Sequence, residues 1–329
     1  MKIQLSIGMA SNPRTWPILD NRVQPDGIDL IPSVVHPSEL FWRQLRFGDF
    51  DVSEMSFSSL MMTIAHGDDR WVGLPIFTTR EFFHTRILVR RDAGIQQPQD
   101  LKGKRVGVPE YQMTAALWTR GALQHEFGVE PREMEFWMER TPEHSHGGAT
   151  GFTAPAGVVV HQIAPDEDIG TMLLAGKLDA TLRYIVDNNL VDRARSDLRG
   201  HPEIRPLFDP VAEGTRYFRK TGILPINHGM VIKRTLAEKY PWAILNLLKA
   251  FEQANAIAER ERMVHVEYHL ASGLIGPESR AALQTSLVRH GLRANRKTLE
   301  TAAQYSHEQG LTPRLMRLEE VFAPSVMDQ

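Results

Sequence analysis

The sequence predicts an α/β protein whose parallel sheets carry helices on both faces, ending in a helical C-terminal region. Three observations carry this. Strand-length apolar runs alternate with helix-length amphipathic stretches as far as Ile232, the order that builds parallel sheets. Within that run, residues 100–118 read as a turn, a short buried strand at 106–108, a break at Pro109 and a helix from about Gln112 to Gly121. A strand that feeds a helix N-terminus in this way leaves backbone N–H groups free for an anion such as a carboxylate. From Thr235 onward the apolar spacing is helical almost throughout.

The elements follow in order. Ile3, Leu5 and Ile7 alternate with Lys2, Gln4 and Ser6, a half-buried strand. A loop at 10–13 and a helix-like stretch to Leu19 precede a strand at 27–31. Pro37, Ser38 and Glu39 open a helix, with Ser38 as its cap and Leu40, Phe41 and Leu45 on its apolar face. Residues 50–55 form a short strand that passes at once into a helix through Ser56, Ser58 and Ser59. Strands follow at 72–76 and in the β-rich run 85–90. The strand at 106–108, its helix and a strand at 135–137 complete a β-α-β unit. Residues 144–155 are the longest loop, and loops of that length are often functional. A helix at 169–175 leads through Gly176 into a strand at 178–182. A strand at 229–232 then precedes helices at 235–240, 241–262, 278–290 and 297–309. Pro241 suits a first helical turn, and Leu245, Leu248, Phe251, Ala254 and Ala258 give that helix one apolar face.

Composition narrows the function. The 329 residues suffice for two lobes with their own cores. A net charge of -2, from 38 basic and 40 acidic residues, leaves no basic field for nucleic acid or an anionic membrane. Attraction for an anionic ligand must therefore be local. The absence of cysteine excludes disulfides, thiol nucleophiles and thiolate metal sites. The N-terminal alternation is not the basic start and continuous apolar run of about 7–15 residues of a secretory signal. No stretch approaches the roughly 18 apolar residues of a membrane span, and the expected location is the cytoplasm. No phosphate loop, Gly-x-Ser-x-Gly elbow or dinucleotide fingerprint occurs.

Residues 100–108 with their helix, and Gly176-Lys177-Leu178-Asp179-Ala180, resemble the type II periplasmic-binding-protein fold: two α/β lobes joined by two crossing strands, with ligand in the cleft between them. Four further motifs are more specific. They are Phe50-Asp51-Val52-Ser53-Glu54-Met55-Ser56, Ser145-His146-Gly147-Gly148-Ala149-Thr150-Gly151-Phe152, Thr221-Gly222-Ile223-Leu224-Pro225-Ile226-Asn227-His228 and Tyr305-Ser306-His307-Glu308-Gln309-Gly310-Leu311. Together they resemble the 4,5-dihydroxyphthalate decarboxylase family, and the likeness covers nearly the whole chain. It implies a cytoplasmic carboxy-lyase that converts 4,5-dihydroxyphthalate, or a closely related hydroxylated aromatic dicarboxylate, to protocatechuate and CO2. It also implies lobe one at 1–85 plus 228–329 and lobe two at 86–227, with His84 and His228 near the crossing strands at the cleft floor.

Such a reaction needs a poorly solvated place for the departing carboxylate, a proton for the ring carbon that bears it, and a deprotonated or nearly deprotonated phenol para to it. Histidine and carboxylate serve best as the acid and base. His228 is the first choice for proton donor; it follows a strand-like run, and Gly229 leaves room for a flat ring. The alternative is a buried histidine bonded to a backbone carbonyl. His146 lies among glycines that let backbone approach a ligand, against the alternative of a solvated loop, and His144 could take its place. Glu54 ends a short strand, where α/β sheets place ligand groups, and could take the phenolic proton or bind a metal; it could equally cap the next helix. Arg80, His84 and Arg86 share one face if their stretch is extended, a basic face suited to a dicarboxylate, unless they pair with Glu81 on the surface. Arg183 is a similar candidate at the end of a strand. Met113 and Thr114 would supply N–H groups and a hydroxyl at the helix start, or form an ordinary first turn.

No cofactor is predicted. Glu54, His84, His146 and His228 could in principle form a site for Zn, Mn or Fe, yet no local spacing such as His-Glu-x-x-His occurs, so a divalent metal stays open. The competing reading is a non-catalytic aromatic-acid-binding protein, either a solute receptor or a sensor; a metal-dependent hydrolase is a third. A receptor needs donors and aromatic walls but no acid-base pair, so Glu54 with His146 and His228 favours the enzyme. The helical C-terminal third either covers lobe one or builds a subunit interface, which leaves a homo-oligomer open.

Overall fold

The computed structural model describes residues 2–284, 286 and 288–329. Its strands are β1 (Ile3–Met9), β2 (Ile28–Val34), β3 (Val52–Ser56), β4 (Trp71–Arg80), β5 (Leu88–Arg90), β6 (Arg105–Val108), β7 (Glu135–Met138), β8 (Val159–Gln162), β9 (Ala180–Thr181), β10 (Ile204–Pro206) and β11 (Ile226–Lys233). They form two sheets, in the orders β2-β1-β3-β11-β4 and β10-β5-β9-β6-β7-β8.

In the first sheet β1 lies parallel between β2 and β3, with Ile7 opposite Pro32 on one side and Val52 on the other. β3 is buried along its whole length, as a central strand with both faces covered must be. β11 arrives from far along the chain and inserts antiparallel between β3 and β4, setting His228 opposite Ser56 and Thr79. Its register against β4 shifts three times between Ile226 and Met230, an irregularity of the kind that re-aims side chains. In the second sheet β9, β6, β7 and β8 run parallel, while β5 is antiparallel to both β9 and β10. The chain passes between the sheets at 81–87 and again at 207–225. One apolar core continues through both, from Ile7, Val52 and Leu74 to Val89, Val106 and Phe136.

Several elements depart from the sequence reading, each for a local reason. The helix Pro37–Phe47 is capped by His36, whose Nδ1 accepts from the Ser38 N–H at 3.3 Å, with Pro37 at the first helical position. The helix Thr114–Phe127 runs past Gly121 and ends at Gly128, where φ is 67°. Gly121 is required by packing instead: a Cβ there would lie 2.1 Å from the Tyr305 ring. The run 85–90 splits into a 3-10 turn at Phe83–Arg86 and the short β5. The helix Pro241–Ala271 extends beyond 262 and buries Ala243, Ile244, Leu247, Leu248 and Phe251, leaving Leu245 exposed. The helix read at 278–290 spans Pro277–Gln284, and residues 285 and 287 lie outside the described residues. The helix Pro210–Thr221 escaped the sequence reading, although Asp209 caps it by accepting from the Val211 and Ala212 N–H groups at 2.9 and 2.8 Å.

The two passages between the sheets are tied together by His84, whose Nε2 lies 3.0 Å from Glu213 Oε1. Arg216 donates to both oxygens of the same carboxylate at 2.7 Å. Burial opposes the Glu213 charge, but Arg216 and His84 outweigh it and hold the carboxyl at about 2, below its ordinary 4.5. A carboxyl depressed in this way stabilises the fold above its ordinary value, and the contribution is lost as pH falls towards the folded value. Glu213→Gln should lower stability by about 1–3 kcal/mol at neutral pH, and the difference from the parent should close between pH 4.5 and 2. Thermal melts across that range check both, and a pH-independent difference would contradict the ion pairing.

Candidate active site

A cavity of about 370 Å³ opens between the sheets, within the roughly 300–1,000 Å³ of small-molecule sites. His36, Phe41, Ser56 and His228, packed on the first sheet, face Met113, Thr114, Arg140, His146 and Arg183, packed on the second.

His228 and Glu54 meet because of strand pairing. Glu54 stands opposite Met230 in the antiparallel β3–β11 ladder. His228, two residues before Met230, is therefore its diagonal neighbour on the same face. His228 Nδ1 lies 3.3 Å from Glu54 Oε2, and the carboxylate is fully buried. Neither Glu54 oxygen has a hydrogen-bond partner among the described residues, so Glu54 is not the helix cap that the sequence left as an alternative. The Arg14 guanidinium is close enough to feel its charge: burial lowers the Arg14 pKa and Glu54 works in the opposite direction. Gly229, which the sequence reading took to leave room for a ring, is not among the residues that line the cavity. A Cβ there would face Phe57, 4.0 Å away.

His146 is buried rather than on a solvated loop. It begins the five-residue helix His146–Thr150, which Ser145 caps by accepting from the Gly147 N–H at 2.8 Å. Its Nε2 lies 3.2 Å from the Ser38 carbonyl oxygen and 3.3 Å from Arg140 Nη1, while Nδ1 has no partner among the described residues. Burial lowers its pKa; Glu110 acts in the opposite direction, and the positive charge of Arg140 lowers it further. The Phe41 ring stands between the two histidines, 5.7 Å from His146 and 4.6 Å from His228, so the two imidazoles are at most about 10 Å apart. His144 packs against Trp42 at 5.1 Å instead and does not line the cavity.

Behind His146 stands a group of residues that the sequence reading did not single out. Arg140 is fully buried, with Nη1 2.9 Å from Glu110 Oε1 and Nε 2.7 Å from Asp192 Oδ1. Glu110 also accepts from the His146 N–H at 3.0 Å, the Gly147 N–H at 3.3 Å and the Ser145 hydroxyl at 3.2 Å. Burial alone would raise the Glu110 carboxyl, but His146 and Arg140 bring it below the usual carboxylate range. Burial likewise opposes the Arg140 charge, and Asp192 and Glu110 more than restore it. A signal for these residues was present: Glu110 and Arg140 each follow the C-terminal end of a strand, β6 and β7, the side where open α/β sheets bind ligands.

The remaining candidates divide. Met113, Thr114 and Ala115 line the cavity at the N-terminus of the 14-residue helix Thr114–Phe127. The Thr114 hydroxyl is committed: it accepts from the Ser58 N–H at 2.9 Å and lies 2.8 Å from Ser56 Oγ, joining the two sides of the cleft. Arg183 lines the cavity, with Nη1 3.4 Å from Glu81 Oε2. Arg80, His84 and Arg86 do not form a basic face there, because the 3-10 turn at Phe83–Arg86 breaks the extended run they would need. Arg80 donates to the Arg289 carbonyl at 2.8 Å and to Asn295, and burial pushes its pKa down to about 10. His84 is held by Glu213, and Arg86 pairs with Glu81. Glu54, His84, His146 and His228 thus do not converge, and among the described residues no group of three or more His, Cys, Asp or Glu is placed to hold a metal ion.

Arg140→Ala leaves two carboxylates buried without a cation and should cost about 3–5 kcal/mol, read by urea unfolding, with partial recovery in Arg140→Lys. A loss below about 1 kcal/mol would mean that water replaces the guanidinium.

Comparison with known proteins agrees with this architecture. Residues 69–145 match the family described as NMT1/THI5 like. The alkanesulfonate-binding protein SsuA from Xanthomonas axonopodis pv. citri superposes with a TM-score of 0.58 at 16% identity, covering 97% of this chain and 98% of that one. The desulfurization enzyme DSZB gives 0.53 at 16%, covering 99% and 98%. The fold is thus that of a periplasmic binding protein, and it is shared by binding proteins and by an enzyme. In sequence, the 4,5-dihydroxyphthalate decarboxylase of Pseudomonas putida is 35% identical over 66% of this chain and 82% of its own length. The enzyme of that name from Comamonas testosteroni is 31% identical over 99% of this chain and 98% of its own. An end-to-end match at that identity means that the chain belongs to the 4,5-dihydroxyphthalate decarboxylase family.

Proposed function

We propose that the protein is a carboxy-lyase that removes one carboxylate from 4,5-dihydroxyphthalate, or a closely related hydroxylated aromatic dicarboxylate, giving protocatechuate and CO2. The observation that carries the reading is the buried Glu54 carboxylate 3.3 Å behind a histidine on the cavity wall. A receptor has no use for such a pair, whereas a proton donor at His228 has in Glu54 the counter-ion for its imidazolium form. The two sheets act as lobes, 1–85 plus 228–329 and 86–227, that enclose the ring. The same proposal places the reaction in the cytoplasm, as the resemblance to the decarboxylase family implies.

The ring lies beside Phe41, with the retained carboxylate at Arg183 and the open N–H groups of the helix start at 113–115. His146, whose pKa burial lowers and whose Nδ1 has no partner among the described residues, accepts the proton of the phenol para to the departing group. Electron density from the phenolate enters the ring, and the carbon bearing the carboxylate takes the Nε2 proton of His228. The bond to the carboxylate then breaks; its electron pair restores the aromatic ring and CO2 leaves. His146 returns its proton to the phenolate, and His228 is recharged from solvent, so one proton is consumed per CO2 released.

The likeness to sulfonate-binding proteins favours the rival reading, a receptor or sensor for an aromatic acid. Incubation with 4,5-dihydroxyphthalate, with and without a chelator, separates the two: CO2 release and the change in ring absorbance are expected, and tight binding with no turnover would leave a receptor. His228→Asn and Glu54→Gln should each lower kcat by about 10²–10⁴-fold with substrate affinity little changed. Arg183→Ala should instead raise KM. Equal effects of all three on binding alone would remove the acid-base assignment.

A further inference from the structure

One polar group on the cavity wall has no task in the steps above. Asn227 precedes His228 on β11, lines the same cavity, and donates from Nδ2 to His228 Nε2 at 2.8 Å. An amide nitrogen is a donor only, so Nε2 is the acceptor and the proton of the neutral ring sits on Nδ1. Nδ1 faces Glu54 Oε2 at 3.3 Å. The Asn227 contact thus selects this tautomer, with the Glu54 carboxylate on the opposite side of the imidazole at ion-pair distance but without a hydrogen bond to Nδ1.

That tautomer is not the one that delivers a proton into the cavity. A His228 that protonates a ring carbon carries N–H on Nε2, where it meets the N–H of Asn227 head-on. Turning the amide through half a circle puts Oδ1 in the place of Nδ2, and Oδ1 accepts from Nε2–H. The terminal torsion of asparagine is broad. Asn227 is half-buried at the wall rather than in the core, and its side chain has no other hydrogen bond among the described residues.

We infer that Asn227 is a positioning residue that follows the protonation of His228. Its amide nitrogen donates to the neutral ring and its amide oxygen accepts from the charged one, which keeps Nε2 aimed into the cavity in both states. The inference rests on His228 being the proton donor of the proposed decarboxylation. The turn itself moves no proton: the Nε2 proton goes to the ring carbon, the lone pair left behind accepts from the turned amide, and solvent supplies the next proton. The charged and titratable groups around His228 are Glu54 on β3 with Arg14 near it, Glu81 beyond β4, Arg183 beyond β9, His146 across Phe41, and His36, Arg140 and Asp187 elsewhere on the cavity wall. Among the described residues, Glu54 and Asn227 are the two polar side chains that reach the His228 ring nitrogens.

Nitrogen NMR on the full chain labelled with 15N-histidine, without substrate, reads the tautomer and titration of His228; His228→Gln identifies its signals. The neutral parent should show the Nδ1–H form. Asn227→Asp, which offers acceptors only, should raise the His228 midpoint by about one pH unit, and the basic limb of kcat should move with it. Asn227→Leu, which offers neither contact, should leave a mixture of tautomers. An Nε2–H form in the parent, or a midpoint within about 0.3 unit of the parent in both variants, overturns the inference. Because the NMR is run without substrate, a parent that titrates as described but releases no CO2 fails the decarboxylase reading alone.

Discussion

A guanidinium shut off from water has to be met by carboxylates, and Arg140 imposes that condition on the cavity. It is fully buried, and Glu110 and Asp192 approach it from either side at 2.9 and 2.7 Å. Without them a charge in that position would cost several kcal/mol. Satisfying it draws together the ends of β6 and β7 and the turn at 189–192. The remaining acceptor capacity of Glu110 then takes the N–H groups of His146 and Gly147 and the hydroxyl of Ser145. A helix of five residues cannot hold itself in water; this one stands because its first turn is tied to a carboxylate that Arg140 has already fixed. His146 therefore owes its place to a cation that is not free to hold a ligand.

The other side of the cavity is set by topology rather than charge. β11 is inserted between two strands that precede it by well over a hundred positions in the sequence. The insertion makes His228 the diagonal neighbour of Glu54. No local spacing could show this, since the two residues belong to different passages of the chain. The register shifts beside β4 occur at the same residues, so the irregular part of the ladder is the part that carries the histidine and Asn227. The regular remainder begins at Met230, and Met230, Val231 and Ile232 hold the strand in the core.

Much of the fold was legible because the physics that decides it is local. The alternation at Ile3, Leu5 and Ile7 became β1, and the break at Pro109 separated a strand from a helix as read. Where a residue answers to a distant partner the reading failed. Gly121 looked like a helix end and is a seat for Tyr305. Arg80, His84 and Arg86 looked like one basic face and are claimed separately by Arg289 with Asn295, by Glu213 and by Glu81. His228, His146, Met113, Thr114 and Arg183 do meet at one cavity, but family motifs rather than spacing brought the two histidines forward. Arg140, Glu110 and Asp192 were missed because charged residues read as surface unless something shows them to be paired and buried.

The charge balance of the cavity bears on how a dianion can enter a chain of net charge -2. Arg140 stands between two carboxylates, so its surroundings are already negative overall and repel rather than attract. In the proposed function the attraction falls to Arg183 and to the helix start at 113–115, which line the cavity. Among the described residues the Arg183 side chain is held by Glu81 alone, at 3.4 Å and partly exposed, a kind of pair worth about 0–1 kcal/mol. A ligand carboxylate can displace Glu81 at that small cost, while Glu81 keeps its bond to Arg86. The buried network behind His146 is left untouched by the exchange. On the proposed reading one carboxylate is thereby held at the Arg183 end, and the rest of a flat ring is directed along Phe41 towards the two histidines. The weak exposed pair selects and the strong buried one positions; exchanging their places would make the ligand compete with the interactions that hold the site together.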